Sequence, residues 1–129
     1  MMKKNILFLE NNAFMKNLVK AVFKTQHNVI TSDCISDAIQ IFSNVRQDLI
    51  ITDLNLDGEN GIDFVNKIKD LDNDVPIIIL SGETDAKIQC YLLGVDDFIA
   101  KPFLIKELDL RVNNLLKRSL EYYCKEYNH

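Results

Sequence analysis

The sequence predicts an α/β fold, in which a five-stranded parallel sheet carries helices on both of its faces. Five short runs of β-forming residues alternate along the chain with five segments whose apolar residues recur three or four positions apart. This alternation is typical of parallel strands joined by right-handed helical crossovers. The runs Leu49–Thr52 and Val75–Leu80 are almost wholly apolar, as strands buried on both faces usually are.

Each strand is predicted from a run of β-formers that stops at a polar or charged residue. The strongest run begins at Val75, and Pro76 stands at its start, where a proline removes no central ladder hydrogen bond. The predicted strands are Asn5–Leu9, Asn28–Thr31, Leu49–Thr52, Val75–Leu80 and Phe98–Ala100.

The helices are predicted from apolar spacing and from end signals. Ser36 is expected to cap the second helix, and Gly94 is expected to end the fourth. The predicted helices run from Ala13 to about Thr25, from Ser36 through Val45, from Gly61 to Leu71, from Asp85 to Leu93, and onward from Ile105. Among the side chains expected to face inward are Phe14, Leu18, Val22, Phe23, Val45, Phe64, Val65, Ile68 and Leu71.

Length and composition favour one globular domain. The chain has 129 residues, of which 47% are hydrophobic and 26% charged. A net charge of −4 does not favour binding to nucleic acid. No apolar stretch is long enough to span a membrane or to form the core of a signal peptide. The cysteines, Cys34, Cys90 and Cys124, lack metal-ligand spacing, so we expect free thiols in a reducing cytoplasm.

The end of the chain leaves two alternatives open. We assign residues 1–118 to the domain and residues 119–129 to a C-terminal tail. Leu120, Tyr123 and Tyr127 continue a helical period, so the tail either extends the last helix or begins a linker.

Five polar side chains stand at the carboxyl ends of the predicted strands: Glu10, Asn11, Asp53, Ser81 and Lys101. In a parallel sheet these ends meet at the edge where ligands bind. Each residue also has a simpler interpretation, as a turn former, a helix cap or a solvated charge. One shared site is the favoured interpretation, because all five fall at the same edge.

This set of residues fits phosphoryl chemistry. Carboxylates held close together repel one another, and Mg²⁺, which prefers one or two carboxylates and several waters, relieves that repulsion. Asp53 could then act as a nucleophile toward phosphorus. Lys101 and the Ser81 hydroxyl would neutralise or bond the transferring oxygens.

Four segments, taken in order and spacing, resemble the response-regulator receiver domains of bacterial two-component signalling. They are Ile6–Asn12, Asp53–Gly58 with Gly61, Ile79–Gly82 and Gly94–Phe103. The resemblance covers residues 4 to about 118. It implies a flavodoxin-like, doubly wound sheet with strand order 2-1-3-4-5.

The resemblance also implies roles for the site residues. Asp53 would accept a phosphoryl group from a phosphohistidine on a sensor histidine kinase. Glu10, Asp53 and the backbone carbonyl of Asn55 would help to place Mg²⁺. Ser81 would turn toward the phosphoryl group, and Lys101 would pair with it.

Two further residues belong to the implied switch. Phe98 would move inward behind Ser81, and the Lys101–Pro102 peptide is expected to be cis. Because Phe98 has no hydroxyl, the switch would act by packing alone, and the simpler interpretation is a core aromatic in either state.

The chain departs from the family pattern at two points. The family usually carries an acidic pair after the first strand, and Asn11 stands where the second acid binds magnesium. An amide oxygen can ligate Mg²⁺ but brings no charge, so a weakened affinity is expected. The loop that follows Ser81 is also about two residues shorter than usual, which leaves its movement on activation open.

Charged residues near the fourth helix, fifth strand and fifth helix resemble the dimer interface of the OmpR/PhoB branch, whose output domains are winged helices. The matching pairs are Lys87 with Glu107, Asp97 with Arg111, and Asp96 with Arg118. Scattered surface charge is the alternative, although such pairs set register and partner choice. The resemblance implies a homodimer and an output domain outside this chain, with no direct DNA contact by the chain itself.

The expected function is a cytoplasmic, phosphorylation-switched receiver that is not an enzyme beyond its own phosphorylation and dephosphorylation at Asp53. The main alternative, motivated by Asn11, is a dimerisation or docking module that works without phosphorylation. A phosphohydrolase ranks last, because the acid it needs two residues after the nucleophile is Asn55. A flavin binder is disfavoured, since an acidic edge would repel its phosphate and no glycine loop follows the first strand.

Overall fold

The computed structural model describes residues 3–127, with side chains described through Lys117. Its main feature is a five-stranded sheet in the order 2-1-3-4-5, in which every neighbouring pair of strands is parallel. The predicted fold class is confirmed. The strands are β1 (Asn5–Leu9), β2 (Asn28–Ser32), β3 (Leu49–Asp53), β4 (Ile77–Ser81) and β5 (Asp97–Ala100).

The helices cover both faces of this sheet. They are α1 (Ala13–Phe23), α2 (Ile35–Asn44), α3 (Gly61–Leu71), α4 (Lys87–Leu92) and α5 (Ile105–Tyr127). A 3₁₀ turn, Thr84–Ala86, precedes α4, so the fourth predicted helix is split in two. Gly94, at φ 96°, follows its end as expected.

Alternate residues of each strand feed two separate cores. Leu7 and Leu9 of β1 pack on the face that carries α2, α3 and α4, while Ile6 and Phe8 pack on the face that carries α1 and α5. All four side chains are fully buried. Burial on both faces explains why these strands read as continuous apolar runs.

A short hairpin between β3 and α3 was not predicted. Its strands, Asn55–Leu56 and Glu59–Asn60, pair antiparallel across a two-residue loop of Asp57 and Gly58. Both loop residues have positive φ, 21° and 83°, and Asp-Gly is a favoured pair for such loops. The hairpin rises at the carboxyl edge of the sheet, directly after Asp53.

The start of α2 corrects one prediction. Ser36 lies inside the helix, and the N-cap position belongs to Cys34, whose side chain forms no capping hydrogen bond. The free N–H of Ile35 instead donates to the Glu59 carboxylate at 3.0 Å. A helix end needs some acceptor for its first N–H groups, and here a carboxylate on the hairpin supplies one.

Three residues predicted to face inward are exposed. Phe14 is 74% exposed, because α1 turns Val19 and Phe23 to the core instead. Val45 is the residue after α2, and Leu71 is the last residue of α3, so both lie where their helix ends. Apolar spacing predicted these helices correctly, but it assigned to their buried faces some residues that are exposed.

Cys34 and Cys90 are free, as predicted, and burial raises the pKa of the Cys90 thiol. Cys124 falls among the side chains outside the described set, as do Leu120, Tyr123 and Tyr127 of the predicted tail. Within residues 3–127, none of the helices is long and apolar enough to cross a membrane.

Candidate functional site

The centre of the candidate site is the Lys101 ammonium, which bridges two carboxylates. Its Nζ donates to Asp53 Oδ2 at 2.7 Å and to Glu10 Oε2 at 3.3 Å. Asp53 is the last residue of β3, whereas Glu10 and Lys101 directly follow β1 and β5. Three strand ends therefore meet at one point, although these residues lie far apart along the chain.

Backbone hydrogen bonds fix the positions of these three residues. Glu10 N–H donates to the Ser32 carbonyl at 3.0 Å, and Lys101 N–H donates to the Ser81 carbonyl at 2.9 Å. The Lys101–Pro102 peptide is cis. The Asp53 carboxylate also accepts the Asn55 N–H at its Oδ1, at 3.2 Å. The charged groups are thus placed by the ends of the sheet rather than by flexible loops.

The site carries more negative than positive charge. Glu10 is 1% exposed and Asp53 8%, and Lys101 is the one cation that touches them among the described residues. Burial opposes the charge on Lys101, but hydrogen bonds and attraction from Asp53 and Glu10 outweigh it and raise the pKa of Lys101. One ammonium against two carboxylates leaves a formal charge of −1, which favours an additional cation.

An open cleft of about 460 Å³ lies over these groups. Glu10, Asp53 and Lys101 line it, together with Asn11, Asn12, Phe14, Met15, Asn55 and Asp57. Its walls therefore come from the start of α1 and from the hairpin. The exposed Phe14 ring lies at this cleft, which accounts for an apolar side chain that packs in neither core.

Comparison with known proteins agrees with this arrangement. A family model described as the response regulator receiver domain matches residues 6–113. The chain belongs to this family.

Curated relatives extend beyond this receiver domain. Response regulator SaeR of Staphylococcus epidermidis is 33% identical over 88% of the chain and 51% of its own length. Aerobic respiration control protein ArcA of Escherichia coli is 32% identical over 90% of the chain and 50% of its own length. The chain thus spans about half the length of these relatives.

Solved structures show the same fold. The non-phosphorylated HemR receiver domain from Leptospira biflexa superposes with a TM-score of 0.83 at 26% identity, covering 88% of this chain and 94% of that one. The receiver domain of the Francisella response regulator 1452 gives 0.84 at 27% identity, covering 91% and 99%.

Receiver domains generally use Mg²⁺, and the donor groups in this cleft fit a magnesium ion. Two carboxylates, Glu10 and Asp53, lie beside the backbone of Asn55, and Mg²⁺ prefers one or two carboxylates, further oxygens and several waters. The Nδ2 atom of Asn11 is buried and finds no hydrogen-bond partner among the residues that the structure describes. An amide turned by half a rotation would present its oxygen there instead, so Asn11 can contribute a neutral ligand.

Among the described residues, no hydrogen bond joins the Asp53 carboxylate to the predicted switch residues Ser81, Phe98 and Pro102. Ser81 ends β4 and is buried, and its hydroxyl oxygen accepts the Glu83 N–H at 2.9 Å. Phe98 is already buried in the core on the α2–α4 face, as its simpler interpretation expects. Pro102 is exposed. Their roles in switching stay predictions.

The predicted dimer residues of the receiver domain lie on α4, on α5 and around β5. Asp97 and Arg111 pair within the one chain, with Arg111 Nη1 donating to both carboxylate oxygens at 2.7 and 2.8 Å. Glu107 Oε1 lies 3.8 Å from Arg111 Nη2. Lys87 and Asp96 are exposed, and the Arg118 side chain lies outside the described residues.

Four residues that line the cleft, Asn12, Phe14, Met15 and Asp57, are not among the predicted site residues, and two of them are instructive. Phe14 was assigned to the core, because only its spacing was considered. Asp57 stands in a predicted loop. The Asp57-Gly58 pair is nevertheless a hairpin signal, and a hairpin that follows the Asp53 strand lies at the same edge of the sheet as Asp53.

Proposed function

We propose that this receiver domain accepts a phosphoryl group on Asp53 from a phosphohistidine of a sensor histidine kinase, and thereby switches its own self-association. The observation that carries the proposal is the position of Asp53. Its carboxylate ends a central buried strand, lines the open cleft and is held by Lys101 at 2.7 Å.

The chemical step follows from this geometry. A carboxylate oxygen of Asp53 attacks phosphorus, the new O–P bond forms, and the P–N bond to the histidine breaks. Lys101 stays beside the developing negative charge on the phosphoryl oxygens, where a fixed cation is most effective. Mg²⁺ held by Glu10, Asp53 and Asn55 would neutralise those oxygens further.

Ser81 would respond to the added phosphoryl group by donating its hydroxyl proton in a hydrogen bond. Its hydroxyl oxygen accepts one backbone N–H, from Glu83, so its hydroxyl proton is available to a phosphoryl oxygen. A turn of this side chain would change packing around Phe98 and the start of α4. Phosphorylation would thus act through charge and packing at one sheet edge.

The proposed output is a homodimer formed through α4, β5 and α5, as in the OmpR/PhoB branch. Ile88, Tyr91 and Leu92 lie three and four residues apart on α4 and are exposed, Leu92 by 83%. Leu104 and Leu110, before and within α5, are also exposed. Apolar surface bordered by charged residues is typical of protein interfaces.

The ion pair between Asp97 and Arg111 would have to break if these residues pair across the dimer interface. Asp97 and Arg111 already satisfy each other, so a pair across the interface would require each to exchange its partner. Charge pairs of this kind set register more than affinity. Control of transcription would then follow through an output domain, consistent with relatives about twice as long.

A second candidate function rests on Asn11. If the missing acid disables magnesium binding, the same scaffold would act as a docking or dimerisation module that needs no phosphorylation. This candidate keeps the α4–β5–α5 surface and removes the chemistry at Asp53.

Intact-mass measurement after incubation with a small phosphodonor distinguishes the phosphorylated receiver from the docking module. We expect a mass increase of one phosphoryl group that depends on Mg²⁺ and is absent from Asp53→Asn. Asp63→Asn, which removes an exposed carboxylate from α3, is the matched control and should keep the adduct. An adduct seen only after Asn11→Asp would contradict the proposal and favour the docking module.

A further inference from the structure

We infer that Asp57 strengthens cation binding in the cleft by supplying negative charge that Asn11 does not. This inference rests on the proposed function, because it concerns the Mg²⁺ that phosphorylation of Asp53 would use. It assigns an electrostatic role to a hairpin residue that the phosphoryl chemistry itself does not require.

The first step is the position of Asp57. Asp57 lines the same cleft as Glu10, Asp53 and Lys101. It lies two residues after Asn55, whose carbonyl is the expected backbone ligand, and both belong to one short hairpin. Asp57 is therefore held near any cation that Asn55 binds.

The second step is that the turn does not need this charge. Asp57 has φ 21°, and positive φ in a two-residue hairpin loop suits aspartate, asparagine or glycine. Asparagine would make the turn equally well and stay neutral. Within the described part of the chain, the Asp57 carboxylate has no hydrogen bond and no ion pair. Neither the turn nor a structural contact explains its charge.

The third step is the charge balance of the cleft. Without Asp57, the carboxylates of Glu10 and Asp53 and the ammonium of Lys101 sum to −1, and Asn11 adds nothing. With Asp57 included, the net charge of these side chains is −2, which is equal and opposite to the charge of Mg²⁺. A divalent cation would then be fully neutralised by the residues around it.

The structure also limits how Asp57 can act. Among the described residues, no three His, Cys, Asp or Glu side chains lie close enough together to form a metal site. In this arrangement Asp57 does not join Glu10 and Asp53 as a third carboxylate ligand, so the role we assign to it is that of a nearby charge. The cleft, about 460 Å³, has room for the waters that Mg²⁺ usually retains.

Calorimetric titration of the unphosphorylated chain with MgCl₂, at low salt and without phosphodonor, tests the inference. Asp57→Asn should raise the Kd for Mg²⁺ about fivefold, the effect expected for one charge acting across several ångströms of partly aqueous medium. Asp57→Gly also suits the turn and lacks the charge, so it should raise the Kd by a similar factor. The increase caused by Asp57→Asn should shrink at about 0.5 M NaCl, because salt screens exposed charges.

Asp70→Asn is the matched control, since Asp70 is exposed near the far end of α3 and does not line the cleft. Equal Kd values for Asp57→Asn and Asp70→Asn would overturn the inference. So would Asp57→Gly binding as tightly as the native chain, or a native chain that binds no Mg²⁺. The proposed function fails separately, if saturating Mg²⁺ yields no phosphoryl adduct on a chain whose affinity does respond to Asp57.

Discussion

Replacing Lys101 with methionine is expected to lower the free energy of unfolding at pH 7 by about 2 kcal/mol. The variant leaves the Glu10 and Asp53 carboxylates, 1% and 8% exposed, without their shared cation. Breaking a fully buried ion pair costs about 3–5 kcal/mol, and the smaller figure allows for the partly solvated lysine. Urea denaturation followed by circular dichroism measures this difference.

The difference should depend on pH in a defined direction. The pKa of Lys101 is raised in the folded protein, so its stabilisation is fully present below its unfolded pKa of about 10.4 and is lost as pH rises through the folded value. The native chain and Lys101→Met should therefore differ by a constant amount from pH 7 to about 9 and converge at higher pH. Once the pH is above the raised pKa of Lys101 in the folded protein, the native lysine is neutral and resembles methionine.

Lys106→Met is the matched control for lost lysine charge. Lys106 is mostly exposed and lies 3.8 Å from Asp109, so its loss should change stability by less than about 0.5 kcal/mol. A Lys101→Met variant as stable as the native chain at pH 7 would mean that the two carboxylates do not need the lysine.

Gly61→Ala should destabilise the chain by about 3 kcal/mol and lower its Tm by roughly 10 °C. A Cβ atom built at Gly61 would lie 2.2 Å from the Asp53 carbonyl oxygen and 2.7 Å from Leu54 Cα. Both are backbone atoms, so no side-chain rotation can relieve the overlap. The backbone of the hairpin must move instead, and with it the Gly61 N–H bond to the Leu54 carbonyl at 2.8 Å.

Gly82→Ala provides the comparison for this experiment. A Cβ atom there would meet nothing within 4 Å, so the change should stay within about 0.5 kcal/mol. Thermal unfolding of the two variants beside the native chain gives the result. Equal Tm values would show that the chain at Asp53 and Leu54 can shift without cost, contrary to a rigid site.

The sequence predicted those features of the fold that depend on local pattern. The apolar runs and their polar ends were enough to predict β1 and the end of β3 at Asp53, because a strand buried on both faces consists of consecutive apolar residues. Convergence of Glu10, Asp53 and Lys101 followed from the parallel topology alone.

The features that sequence reasoning missed depend on contacts between distant parts of the chain. Glu59 caps the Ile35 N–H across 24 positions, and no local pattern around Ser36 reveals that acceptor. Phe14 has the spacing of a core residue, but the direction in which α1 packs turns it toward the cleft. Spacing predicts a helix, whereas tertiary packing decides which of its sides is buried.

The pairing of Asp97 with Arg111 is a further case. Sequence resemblance predicts opposite charges facing each other across a dimer, and this stays a prediction. Within the single chain, Asp97 and Arg111 pair with each other, which the sequence does not indicate. Charge patterns identify residues that can pair, but the distance between them is set by how α5 lies against β5.

Sedimentation velocity of the native chain and of Asp53→Asn, each with and without Mg²⁺ and phosphodonor, is the direct test of the proposed switch. We expect a dimer for the native chain only when both reagents are present, and a monomer for Asp53→Asn under every condition. The same degree of association in all of these samples would contradict a phosphorylation switch. A dimer in every sample would identify the chain as a module that pairs without phosphorylation.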